Sequence, residues 1–298
     1  MTLLIAIILG LVQGLTEFLP VSSTAHLTLA ENLLLRRSMP LAFDVLLHVG
    51  TLVALVIYFR RELLEVLMGF LGRNPEGRRL GLWLLVAMVP TVIFGYLTRT
   101  AKEWAKGHIW VYGLFLLVTA ILLYLANERS KRHEQGEGGG GRDLHQVGAW
   151  DALSIGSIQG LGGGFGLSRS GSTICVGVFR GLKLPSATRF SFLLGIPTII
   201  GAATLEGWHI VKPLIHHLPL AAEDQFPVGS ISPALACVVG VAVSAIAGYF
   251  AIGLLDRFTR KPKLGPFAFY CLCVGALLVI LGTVGTEGLF GIQGVSLR

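Results

Sequence analysis

The stretch Thr2–Leu19, TLLIAIILGLVQGLTEFL, is apolar apart from Gln13 and Glu17, stops at Pro20, and runs into the polar string Ser22-Ser23-Thr24-Ala25-His26. A helix crossing a hydrocarbon layer of about 30 Å needs about 20 apolar residues. A segment that carries an acid, meets a proline and turns polar reads instead as a helix that enters part-way, turns and returns. It has no basic leader region and no A-x-A site, which argues against a cleaved signal peptide. Trp150–Leu167, rich in glycine and followed by Ser168-Arg169-Ser170-Gly171-Ser172-Thr173, reads the same way. The two segments align without a gap: Gly10, Gln13, Gly14, Leu15 and Ser22 fall on Gly156, Gln159, Gly160, Leu161 and Ser168, all at an offset of 146. An internal repeat is the economical explanation.

Composition places this repeat in lipid. Of 298 residues, 53% are hydrophobic and 14% charged, and the mean hydropathy is +0.72, more apolar surface than one soluble core of this size can bury. Charge-free runs cover Leu80–Thr98, Ile109–Asn127, Phe190–Leu205, Gln225–Leu255 and Leu264–Thr286, and Val45–Phe59 is uncharged apart from His48. These predict six spanning helices, three after each short segment. An odd number of spans inverts the second copy, so the expected fold is an all-α integral membrane protein: an inverted-topology repeat with six spanning helices and two re-entrant hairpins whose broken helices meet near the midplane. The expected divisions are residues 1–127, a flexible cytoplasmic linker at 128–149 that contains Gly138-Gly139-Gly140-Gly141, and residues 150–298.

The net charge of +7 does not imply nucleic acid, because the basic residues lie in short loops between apolar blocks. Thirteen of them, including Arg60, Arg61, Arg78, Arg79, Arg129, Arg142 and Arg257, fall on the side expected to be cytoplasmic; seven, including Arg36, Arg37, Lys102 and Arg298, fall opposite. Trp83, Trp104, Trp110, Trp150 and Trp208 sit at block ends, as interface anchors do. Cys175, Cys237, Cys271 and Cys273 lie in apolar stretches without a CxxC pair and read as small hydrophobes. His108, His133, His145, His209, His216 and His217 lie in or beside loops and lack the spacing of a helical metal site.

An ionisable group costs about 2.5–3.5 kcal/mol at the centre of a membrane helix, so those retained there need a reason. Gln13 and Glu17, four apart, share a helix face. Ser22, Ser23, Thr24 and His26 offer hydroxyls, backbone N–H groups and an imidazole after the Pro20 break; a plain capping cluster is the competing reading. Ser168, Arg169, Ser170 and Thr173 open another helix, where free N–H groups, hydroxyls and a guanidinium suit a phosphate, against the competing reading of an arginine reaching for the headgroups. The repeat is expected to bring the two turns together. That constellation fits phosphoryl transfer, with a carboxylate that could hold Mg or Ca against a diphosphate. Asp44 and His48, one turn apart near a span entrance, are weaker candidates for a supporting role.

The strings Gln13–His26 and Gly166–Thr173 resemble the two signatures of the bacterial undecaprenyl-diphosphatase (bacitracin-resistance) family, and the likeness covers nearly the whole chain. The resemblance implies hydrolysis of the C55 lipid carrier diphosphate to the monophosphate and phosphate. It also implies dependence on a divalent cation, a multi-pass protein of the bacterial plasma membrane, a site open to the periplasm, and roles in cell-wall synthesis and bacitracin resistance. On this basis Gln13 and Glu17 form the cation side, Ser23 is the nucleophile with His26 or Glu17 as base, and Arg169 is the clamp. Ser22, Thr24, Ser168, Ser170 and Thr173 complete the phosphate loops. Ser23, His26 and water stay open as attacking groups, and a homodimer is among the open assemblies. One departure is Phe165, where the family usually has Pro before Gly166. The other large class of integral lipid phosphatases requires His and Asp where this chain has Cys175 and Phe179. A transporter or flippase for a lipid phosphate is the rival from another class, because inverted repeats with broken helices are common transport folds.

Overall fold

The computed structural model describes residues 2–35, 39–106, 108–136, 140–215, 226, 232–261 and 263–283. Arg36, Arg37, Gly138, Gly139, His216, His217 and Arg298 lie outside the described residues. The described chain is all-helical. Six helices are long and apolar enough to cross a membrane: α3 (Leu41–Tyr58), α5 (Pro75–Leu97), α7 (Ile109–Glu134), α10 (Leu184–Ile215), α11 (Pro233–Thr259) and α12 (Gly265–Thr283).

The two short segments are helix–turn–helix units. The first comprises α1 (Leu3–Phe18) and α2 (Ser23–Leu34), the second α8 (Ala149–Gly162) and α9 (Arg169–Phe179). At 16, 12, 14 and 11 residues, each is shorter than the roughly 17–25 a span requires. Pro20 accounts for the first break, since it holds Leu19 extended at φ −64°, ψ 142° and cannot continue the helix. Two further short helices, α4 (Arg60–Phe70) and α6 (Arg99–Lys106), occupy loops that hydropathy leaves unassigned.

Small residues decide which helices touch. α1 lies along α11 and α8 along α5. A Cβ on Gly14 would meet the Ser244 carbonyl oxygen at 2.6 Å, and one on Gly156 the Ala87 carbonyl oxygen at 2.0 Å. Backbone-to-backbone contact of this kind supplies the dispersion energy that associates helices in lipid, where burial of apolar surface gives little. α1 and α8, the first helix of each unit, thus pack on a span from the other half of the sequence. α7 and α12 pair along their lengths, and α9 wedges against α7, α8 and α10. Beneath the α1–α2 turn, Phe18 and Phe59 both meet Phe192 edge-on at 5.6 and 5.9 Å, giving the site an apolar floor.

Described residues on either side of Gly138-Gly139 make regular contacts. α7 continues to Glu134 because Arg129, Lys131 and Arg132 are good helix formers on an exposed end. Beyond it, Arg142 forks onto Asp151 at 2.7 and 2.9 Å and donates to the Arg180 carbonyl at 2.7 Å. Its backbone pairs with Leu182 in an isolated bridge.

Candidate active site

The turn at Pro20 delivers Ser22 in the left-handed region, φ 71°, where it is the only residue other than glycine among those described. Its hydroxyl then caps α2 by accepting from the Ala25 N–H. Strain of about 1–3 kcal/mol at such a residue persists only where surrounding contacts enforce it. Its consequence is geometric: Ser23, at the first position of α2, faces back onto α1 and donates to Glu17 Oε2 at 2.7 Å.

Glu17 is the centre of the arrangement. Arg169 Nη2, from α9, donates to its other oxygen, Oε1, at 2.7 Å. Gln13 Nε2, one turn earlier on α1, donates to Oε2 at 3.2 Å, and His48 Nε2 lies 4.0 Å from the same oxygen. His48 is oriented by its own helix, its Nδ1 lying 2.9 Å from the Asp44 carbonyl oxygen and 3.4 Å from Asp44 Oδ1. Ser23 and Arg169 occupy matching positions in the repeat, separated by the same 146 residues as Ser22 and Ser168. The two turns therefore contribute one donor each to the two oxygens of one carboxylate. The second turn has no counterpart acid, because Gly163 stands where the first has Glu17. There Gln159 donates instead to Thr91 and Thr198.

Two buried polar atoms in the cluster have no hydrogen-bond partner, Arg169 Nη1 and Gln13 Oε1. The guanidinium thus keeps half of its fork after satisfying Glu17, and that half can take a phosphoryl oxygen without breaking the ion pair. Gln13 Oε1 is a hard oxygen donor beside a carboxylate, which fits a divalent cation. Among the described residues no three His, Cys, Asp or Glu gather as a metal cage, so a cation here would draw its remaining ligands from the diphosphate and water, as Mg commonly does.

The other expected residues divide by what they touch. Ser168 caps α9, accepting from the Gly171 N–H at 3.1 Å, and Ser170 donates to the Leu19 carbonyl at 3.2 Å, tying the second turn to the first. Thr173 points inward, bonding the Arg169 carbonyl at 2.7 Å and the Ser191 hydroxyl. Thr24 is half-buried in the first turn of α2. His26 bonds the Ser22 carbonyl and Tyr270; its ring is directed to α12, and the carboxylate in contact with Ser23 is that of Glu17. Phe165 stacks on Phe115 at 5.1 Å, with Lys102 Nζ over its ring. Sequence reasoning missed Tyr270 and Gly195. The latter sits on α10 where a Cβ would come within 2.5 Å of Arg169 Nη1.

Fold and site together define a polytopic helical membrane protein with a buried carboxylate, guanidinium and hydroxyl suited to phosphoryl chemistry. Comparison with known proteins gives the particular family. The family described as Bacitracin resistance protein BacA matches residues 6–277, and the chain belongs to it. Among its relatives is an undecaprenyl-diphosphatase of Carboxydothermus hydrogenoformans, 36% identical over 280 residues that cover 94% of this chain and 97% of that protein. Undecaprenyl-diphosphatases of Methanosphaera stadtmanae and Rubrobacter xylanophilus are 37% and 38% identical, covering 95% and 94% of this chain and 99% and 98% of those proteins.

Proposed function

We propose that this protein is an undecaprenyl-diphosphatase: it hydrolyses the C55 diphosphate to undecaprenyl phosphate and inorganic phosphate, returning the carrier to cell-wall synthesis and conferring bacitracin resistance. The observation that carries the reading is the division of the Glu17 carboxylate between Ser23 Oγ and Arg169 Nη2, each at 2.7 Å.

In this reading the free Nη1 of Arg169 and the first N–H groups of α9 bind the terminal phosphoryl oxygens, where negative charge builds in the transition state. Glu17 Oε2 accepts the Ser23 proton as Oγ attacks the terminal phosphorus. A Ser–O–P bond forms, the P–O–P bridge breaks, and undecaprenyl phosphate leaves with the bridging oxygen. The proton passes from Glu17 to the bridging oxygen of the departing undecaprenyl phosphate; the freed carboxylate then takes a proton from the water that attacks the phosphoserine and returns it to Ser23 Oγ as phosphate leaves. Gln13 Oε1 and Glu17 would hold Mg or Ca, which when bound supplies charge neutralisation to the diphosphate. The distribution of Lys and Arg among the loops supports a plasma-membrane protein whose site opens away from the basic face, toward the periplasm. The halves 1–127 and 150–298 are read as inverted copies joined through 128–149, and a homodimer is an assembly this reading permits.

The test is release of phosphate from a prenyl diphosphate by the purified protein in detergent, with and without chelator. Chelator-sensitive release supports the proposal; binding without release in the presence of Mg and Ca would favour a transporter or flippase.

A further inference from the structure

The turn that presents Ser23 is gripped from the last spanning helix. Tyr270 on α12 stacks on His26, ring centroids 5.6 Å apart and 13° from parallel, and its hydroxyl lies 2.7 Å from His26 Nε2. The opposite ring nitrogen, Nδ1, lies 2.8 Å from the Ser22 carbonyl oxygen. A carbonyl can only accept, so in the neutral imidazole Nδ1 carries the proton and Nε2 accepts from the Tyr270 O–H. The adjacent residue of α12 adds a second hold, with the Cys271 thiol donating to the Pro20 carbonyl at 3.3 Å. One contact falls on the strained Ser22 itself and the other on Pro20, two residues before it, in the turn that leads Ser23 to Glu17.

We propose that Tyr270 is a positioning residue for the reaction: through His26 it fixes the Ser22 carbonyl, and with it the turn that delivers the Ser23 hydroxyl to Glu17. The inference rests on the phosphatase reading given above. It assigns His26 the work of holding the turn and places its sole remaining lone pair on Tyr270. A contact across 244 residues makes α12 part of the site although it supplies no group to the phosphate.

The test uses the full-length protein in detergent micelles, with Tyr270→Phe, His26→Gln and the double variant. Phe keeps the stacked ring and removes only the hydroxyl. Tyr270→Phe is expected to lower kcat for phosphate release about tenfold with KM within about twofold, one hydrogen bond's worth of positioning. The double variant is expected to be no slower than His26→Gln alone, because Tyr270 acts through His26. Nitrogen-15 NMR of histidine-labelled wild-type protein, with His26 assigned from the His26→Gln spectrum, is expected to show its ring protonated at Nδ1, and Tyr270→Phe to mix the tautomers. Wild-type kcat in Tyr270→Phe, additive losses in the double variant, or an Nε2-protonated ring in the wild type would each overturn the proposal. Absence of phosphate release from the wild type would sink the phosphatase reading instead, leaving the tautomer measurement to judge this one.

Discussion

Gly195 gives Arg169 its place: a Cβ at position 195 would stand 2.5 Å from Nη1, so the guanidinium would have to shift. Gly195 lies inside α10, where alanine is the better helix former by about 0.5–1 kcal/mol. Gly195→Ala is therefore expected to hold or raise the thermal midpoint while displacing the guanidinium, which costs about ten- to a hundredfold in kcat. Thermal melting and phosphate release on the same preparation check it; a variant with wild-type kcat would show that Arg169 has slack.

Arg169 itself is expected to tolerate no replacement. Alanine removes both the Glu17 partner and the phosphate fork. Lysine can keep the charge at Glu17 but has no second planar N–H to offer, so Arg169→Lys is expected to remain about 10²–10³-fold below wild type. Initial rates for both variants are the measurement, and near-wild-type turnover by Lys would reduce the fork to a simple point charge.

His48 acts at one remove. Its Nε2 faces Glu17 Oε2 from 4.0 Å, and Asp44 orients it from the other side. His48→Gln is expected to lower kcat about three- to tenfold with KM unchanged. A change confined to KM would place His48 in substrate binding instead.

The linker anchor is a matter of stability. Burial alone would raise the Asp151 carboxyl, but the hydrogen bonds from Arg142, the Gly148 N–H and Arg180 outweigh it and hold the group below its ordinary range. A depressed carboxylate stabilises the fold above its unfolded value and loses that contribution as pH falls through the folded one. Stability is therefore expected to decline on acidification below the ordinary aspartate range. Arg142→Ala, which leaves the buried acid only Arg180 and the Gly148 N–H, is expected to cost about 1–3 kcal/mol and to flatten that decline. Melting curves across acidic pH for wild type and variant are the check.

Much of this molecule was readable in its residues because lipid constrains sequence strongly. Long charge-free runs marked the existence and order of α3, α5, α7, α10, α11 and α12, although charged residues inside the helices hid the ends of α7 and α10; the cost of an ionisable group in lipid singled out Glu17, His26 and Arg169, and the fold joins Glu17 to Arg169. Other features left weaker traces. The hydroxyls of Ser22 and Ser168 satisfy amides of their own helices, and Thr173 bonds inward. A local partner always competes with a ligand, and spacing cannot choose between them. Tyr270 is one tyrosine in an apolar helix far along the chain from His26, and Gly195 is one glycine among 39; only tertiary packing distinguishes either. α4 and α6 hid in charged loops because hydropathy measures transfer into lipid, and their amphipathic faces average out.

The central claim is that one carboxylate serves both turns. Its most direct test is Glu17→Gln, which preserves size and can still bond Ser23 and Arg169 but can neither take a proton nor pair with a charge. With undecaprenyl diphosphate as substrate, phosphate release is expected to fall at least about a thousandfold in a protein that still folds. Turnover within a few-fold of wild type would contradict the account.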